Sequence, residues 1–144
     1  MAWTRGVIGI RRRAYAKEAV TINSNDPFNQ DTLADSLRGL KRFQEAINAS
    51  KQAIRLSDGK YAWMHFTLGS AYFEIQNWEL SKQSYDKASE LDPKDSAAPY
   101  NIALCMTHLG YYRDAASWYE EVLRRNPSHP EKAEILNRIQ ALRK

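Results

Sequence analysis

Apolar residues recur along most of this chain at the three-to-four-residue spacing that gives a helix one apolar face. Leu68, Ala71, Tyr72 and Ile75 form one such run, and Trp78, Ser81, Tyr85, Ala88 and Leu91 form the next, with polar residues between them. The runs stop for physical reasons. The residue before a proline is pushed out of the helical region, so Asp92-Pro93 ends the second run and Asn126-Pro127 ends a later one. Gly110 and Asn77 read as the tight turns between paired helices. The pattern predicts an all-α chain with helices over about 29–40, 43–57, 62–75, 78–91, 96–109, 112–125 and 130–142.

Pro93 and Pro127 are 34 residues apart, and the blocks 62–95 and 96–129 match place by place. Leu68, Gly69, Tyr72, Trp78, Ser81, Tyr85, Ala88 and Pro93 correspond to Ile102, Ala103, Met106, Tyr112, Ala115, Tyr119, Val122 and Pro127. An upstream copy over 27–61 places Leu33, Ala34, Leu37, Phe43, Ala46, Ser50, Ala53 and Asp58 in the same series, with one extra residue around Gly59–Tyr61. A half copy follows, with Leu136 at the place of Leu68 and Ile102. Small residues, Gly69 with Ser81 and Ala103 with Ala115, let two backbones approach. Aromatics, Tyr72 with Tyr85 and Tyr112 with Tyr119, are expected to fill the space around them. A stack of hairpins leaves an apolar face at its end and needs a polar-backed cap. Glu131, Lys132, Glu134, Asn137, Arg138 and Arg143 supply one over Ala133, Leu136 and Ile139.

In these positions the chain resembles the tetratricopeptide repeat family, whose unit is a 34-residue helix–turn–helix. Tyr100-Asn101-Ile102-Ala103, Leu109-Gly110-Tyr111-Tyr112-Arg113-Asp114-Ala115 and Asn126-Pro127 carry the family's Asn, small residue, Gly, aromatic, Ala and Pro at their usual places. Block 62–95 has Gln76 at the turn glycine and Ser81 for alanine; the upstream copy departs further, with Lys41, Ser50 and Asp58 at the turn, aromatic and proline places. The 35-residue pentatricopeptide unit, which reads RNA, fits the Gly, Ala and Pro places worse. The resemblance covers about residues 28–143. It implies a right-handed α-solenoid of three hairpins, 27–61, 62–95 and 96–129, with a capping helix at 130–143, so that a repeat domain over 27–144 follows a basic extension over 1–26.

Function implied by the resemblance is that of a non-catalytic scaffold or adaptor, a small subunit or assembly factor of a larger complex, holding a partner protein in the groove lined by the first helix of each repeat. Contacts in the family usually come from the second, fifth, ninth, twelfth and thirteenth places. Here those are Phe28, Asp31, Asp35, Arg38 and Gly39; Trp63, Phe66, Ser70, Phe73 and Glu74; and Ala97, Tyr100, Leu104, Thr107 and His108, with Glu134 and Arg138 added by the cap. Phe66, Phe73 and Tyr100 are equally suited to packing between neighbouring helices. Family members that hold an acidic chaperone C-terminus resemble one another in a clamp of Lys at the fifth and Asn at the ninth place. Asp31 and Asp35, Phe66 and Ser70, and Tyr100 and Leu104 stand there instead. The expected partner is therefore an apolar or basic helix or extended segment, and not such an acidic tail.

Composition sharpens this reading by exclusion. At 144 residues, 43% hydrophobic and 26% charged, the chain can bury a real core and is not compositionally disordered. No stretch approaches the roughly 20 apolar residues of a membrane span, and the mean hydropathy of −0.65 is that of a soluble chain. The single cysteine, Cys105, rules out a disulfide framework and reads as a small buried thiol. His65, His108 and His129 fall on different repeats without carboxylates at ligand spacing, so neither metal nor cofactor is expected. No phosphate loop, nucleophile elbow or zinc motif is present, and Asn48-Ala49-Ser50 lies mid-helix, where a glycosylation match is chance.

The net charge of +4 is unevenly distributed: +3 over 1–27, +2 over 28–61, −3 over 62–95, zero over 96–129 and +2 over 130–144. The groove reads as aromatic and weakly acidic, and the N-terminal end as basic. Met1 to Lys17 has no acid and carries Arg5, Arg11, Arg12, Arg13 and Lys17, with Trp3, Val7, Ile10 and Ala14 at helical spacing. That composition resembles a mitochondrial transit peptide, and Arg13-Ala14-Tyr15 before Ala16 resembles a matrix-processing site. Three readings stay open: a targeting segment, with a matrix location and the cytoplasm as alternative; a basic arm docking on a partner; and a bland tail. The alternative function places this basic end on RNA or an anionic membrane surface.

Overall fold

The computed structural model describes residues 24–144, and within them the chain forms seven helices. These are α1 (Pro27–Gly39), α2 (Phe43–Leu56), α3 (Ala62–Glu74), α4 (Trp78–Leu91), α5 (Ala97–His108), α6 (Tyr112–Arg125) and α7 (Lys132–Leu142). Helix α1 starts two residues before the expected 29, because the Asp26 carboxylate accepts from Phe28 N at 2.8 Å and Asn29 N at 3.3 Å, and Pro27 is compatible with the first turn. Asp95 fixes the start of α5 in the same way, accepting from Ala97 N and Ala98 N at 3.1 Å each.

The three inter-helix turns share one conformation. Lys41, Gln76 and Gly110 occupy it with φ of 61°, 61° and 83°, the left-handed region that suits glycine. Gln76 is therefore the turn residue of the second hairpin; Asn77, expected to make that turn, instead caps α4 by accepting from Leu80 N at 3.2 Å.

Hairpins α1/α2, α3/α4 and α5/α6 stack in chain order, with α2 against α3, α4 against α5, and α7 closing on α6. Ser81 Oγ donates to the Gly69 carbonyl at 2.8 Å, and a Cβ on Gly69 would lie 3.0 Å from the Tyr85 ring, so the small pair does bring α3 and α4 close. The aromatics behave differently from expectation. Tyr72 packs with Ala34, Leu37 and Ala49 of the preceding hairpin, whereas Tyr85 packs with Ile102 and Cys105 of the following one. Tyr72 therefore joins its repeat to the preceding one, while Tyr85 both fills its own hairpin against Gly69, Phe66 and Ser70 and reaches the next repeat. Tyr112, expected beside Tyr119, is 54% exposed at the start of α6.

The cap also corrects the sequence reading. A turn through Pro130 and Glu131, in which Glu131 N donates to His129 Nδ1 at 3.1 Å, delays α7 to Lys132. In that register Ile135 and Ile139 enter the cluster of Ala116, Tyr119 and Val122, while Ala133 is exposed and Leu136, placed by the repeat spacing in the core, is 48% exposed. Cys105 is buried, and burial pushes its thiol above the usual range, as suits a packing residue.

Candidate functional site

The first helices α1 and α3, the end of α4 and the start of α5 bound a cleft of about 420 Å³. Its walls include Asp35 and Arg38 from α1, Trp63, Phe66 and Ser70 from α3, and Asp92 and Asp95 from the α4–α5 connection. Trp63, the second residue of α3, is 48% exposed. It forms the rim with Tyr61, ring centroids 4.5 Å apart, and with Phe28 at 6.2 Å; Phe28 and Tyr61 are 5.3 Å apart. Phe66 lies deeper, edge-on to Tyr85 at 5.0 Å. The Tyr85 hydroxyl and Ser70 Oγ are hydrogen-bonded at 3.0 Å, and burial pushes the phenol up to about 12, so this wall stays neutral.

The charge of the cleft is acidic. Arg38 is its one cation, and it is paired with Asp35 at 2.8 Å. Asp31, one turn before Asp35, has a carboxylate oxygen that is buried and without a hydrogen-bond partner among the described residues. Burial pushes its carboxyl up from 3.8 to about 6, and the Asp35 charge adds to the shift. The Thr67 hydroxyl beside it pulls the other way, but its proton is already donated to the Trp63 carbonyl at 3.0 Å. An acid in this state is one that a cationic group would relieve.

The remaining candidates divide between two further clusters. Phe73 and His108 meet Trp78: the Trp78 and His108 rings are stacked at 3.9 Å, and Phe73 lies edge-on to Trp78 at 5.0 Å. Glu74 is exposed at the end of α3. Tyr100 is half-buried. Its ring is edge-on to Tyr119 at 5.7 Å, parallel to His129 at 6.2 Å and capped by the Arg138 guanidinium at 6.0 Å. Arg138 also donates to the Tyr119 hydroxyl at 3.1 Å and is held by Glu134 at 2.6 Å. Leu104 packs on the Ala103 and Tyr119 cluster, and Thr107 Oγ1 donates to the Ala103 carbonyl at 2.8 Å. Arg5, Arg11, Arg12, Arg13 and Lys17 lie outside the described residues.

Tyr61, Asp92 and Asp95 belong to the cleft although the repeat places did not select them. The −3 charge of 62–95 was the available signal for the two acids, and the Tyr61–Trp63 spacing for the ring. Among the described residues no group of three or more His, Cys, Asp or Glu is placed to hold a metal ion, and no helix is long and apolar enough to cross a membrane.

Stacked helical hairpins with a lateral cleft lined by their first helices define a helical-repeat binding module. Tetratricopeptide repeat family models match residues 31–59 and 66–130, together more than half of the chain, and the chain belongs to the tetratricopeptide repeat family. No curated protein sequence matches it. Solved structures share its fold. The Arabidopsis OM64 repeat domain superposes with a TM-score of 0.73 at 20% identity, over 80% of this chain and 94% of that one. The second such domain of human RPAP3, solved with an HSP70 peptide, gives 0.71 at 22% over 82% and 98%. The Yersinia enterocolitica chaperone SycD, solved with a peptide of the translocator YopD, gives 0.69 at 19% over 78% and 86%.

Proposed function

We propose that this chain is a non-catalytic interaction scaffold, a small subunit or assembly factor of a larger complex, that holds an apolar or basic segment of a partner protein in the cleft beside Trp63. Binding of peptides by relatives of this fold supports the general role. The observation that carries the specific reading is a half-exposed Trp63 on the cleft rim with the Asp31 carboxyl, one oxygen of it partnerless among the described residues, beside Thr67 of the cleft wall. The ring offers large contact area at low entropy cost, and the acid favours a cationic neighbour. Asp31 and Asp35 occupy the places where a clamp for acidic tails would carry Lys and Asn, so the peptide classes bound by RPAP3 and by this chain differ.

The test is calorimetric titration with two synthetic peptides, one with Arg and Lys opposite Trp and Leu on a helical face, the other acidic and ending Glu-Glu-Val-Asp. The basic peptide binds, Trp63→Ala or Phe66→Ala weakens it by more than about 1 kcal/mol with helicity intact, and the acidic peptide gives no heat. Equal affinity for both peptides, or an unchanged affinity in both variants, removes the cleft from consideration. The composition of residues 1–17 supports a location in the mitochondrial matrix as a further part of this proposal. Mass spectrometry of the native N-terminus checks it: a mature chain beginning at Ala16 bears it out, and an intact segment excludes cleavage there.

A further inference from the structure

The described chain begins at the rim of the cleft. Gln30 Nε2 donates to the Ser24 carbonyl at 2.8 Å, holding the start of the described chain against the first turn of α1, and Phe28 in that same turn packs on Tyr61 and Trp63. The 23 residues before Ser24 therefore join the repeats within one helical turn of the Trp63 rim. Their composition complements what lies there. Five cations, Arg5, Arg11, Arg12, Arg13 and Lys17, stand against the single acid Glu18. The cleft presents Asp35, Asp92 and Asp95, with Asp31 beside Thr67 of its wall, against one guanidinium whose Nη2 is paired with Asp35 and whose Nε is buried without a partner among the described residues. Trp3, Val7, Ile10 and Ala14 recur at the spacing of a single helical face, suited to the aromatic rim.

Reach is sufficient. The 14 steps from Arg13 to Pro27 span roughly 45 Å extended or about 20 Å as a helix, while neighbouring helices lie about 8–10 Å apart. A tethered segment meets its site at an effective concentration on the order of 1 mM, so a contact with a dissociation constant of about 0.1 mM as a free peptide is mostly closed within one chain.

We infer that residues 1–23 of this chain dock in the cleft as an internal ligand, basic groups on Asp31 and Asp35 and apolar groups on the Trp63 rim, and that a partner segment must displace them. The inference rests on the reading of the cleft as the binding surface and on a chain that keeps residues 1–23, so a native N-terminus at Ala16 overturns it.

The test uses the full chain carrying Ala14→Cys with a nitroxide label; the buried Cys105 thiol stays unlabelled. Docking broadens the Trp63 indole signal and the amides of Asp31 and Ser70 by more than half, leaves Leu136 and Gln140 on α7 sharp, and is reversed by the triple change Arg11→Glu, Arg12→Glu, Arg13→Glu. The same triple variant then binds the basic peptide about ten-fold more tightly than the parent chain. An unbroadened Trp63 with equal peptide affinity in parent and triple variant overturns docking and leaves the cleft reading standing. An unbroadened Trp63 with no peptide binding by either protein overturns both. Broadening seen only between labelled and isotope-enriched copies assigns the segment to a second chain and overturns the intrachain form. If the segment instead binds RNA, oligonucleotide titration shifts signals of residues 1–23 while Trp63 stays sharp throughout, which also overturns docking.

Discussion

The two ends of the concave face present the same repeat places in opposite conditions. At the α1–α3 end, Trp63 is half exposed and Asp31 has a carboxylate oxygen without a partner. At the α5–α7 end, Tyr100 is half-buried against Tyr119, His129 and Arg138 and keeps only a smaller cleft of about 300 Å³ beside it, Leu104 is packed, and Thr107 is bonded to its own helix. The difference comes from the cap. Helix α7 contributes Arg138, whose guanidinium satisfies the Tyr119 hydroxyl and lies over both rings, so the place that would receive a ligand in a longer array is partly filled from within. A repeat place is thus an address for a side chain, and availability depends on what the next helix puts over it.

Removing a ring from the closed end should cost the most. Tyr119→Ala deletes a side chain that is 1% exposed together with its bond to Arg138, and is expected to lower stability by about 3–5 kcal/mol in chemical denaturation. Trp63→Ala at the open end is expected to cost about 1 kcal/mol, mostly the lost stacking on Tyr61 and Phe28. Equal losses would mean that the open end is core as well. Gln76→Gly relieves a left-handed residue in the turn that Gly110 makes in the next hairpin, and is expected to raise the denaturation midpoint by the equivalent of about 1 kcal/mol without touching the cleft. A loss of stability there would show that the Gln76 side chain contributes more than its backbone costs.

The smallest effect is read from pH. Burial raises the Asp31 carboxyl from 3.8 to about 6, so between those values the folded chain holds a proton that the unfolded chain has released. Stability contributed by this group is present below pH 4 and is lost as pH rises through about 6. Asp31→Asn therefore removes a downward slope between pH 4 and 6, measured as the difference between the two stability profiles. Glu121, held down to about 2 by Arg124 and Arg125, acts in the opposite direction below pH 4.5 and cancels in that difference. Identical profiles would show that Asp31 is hydrated in solution.

The architecture was readable in the sequence because hairpin packing is local: size classes repeated every 34 residues name the pairs that meet, and Gly69 with Ser81 meet as the spacing implied. What the period could not supply were the ends and the connections. The Asp26 cap and the His129–Glu131 turn moved two helix starts and, with the second, exchanged Leu136 for Ile135 in the core. The site was readable in part. Trp63, Phe66, Ser70, Asp35 and Arg38 do line one cleft, but Asp92 and Asp95 reach it from an inter-repeat connection, outside the helix faces that periodicity describes. Coverage of Tyr100 needed a side chain 38 residues away, which no local pattern encodes.

The most direct test compares the two ends in one calorimetric series. The parent chain, Trp63→Ala and Tyr100→Ala are each titrated with the basic amphipathic peptide. Trp63→Ala is expected to lose at least about ten-fold in affinity and Tyr100→Ala to change within about two-fold. A larger loss at Tyr100, or the same loss at both, would contradict this difference between the ends.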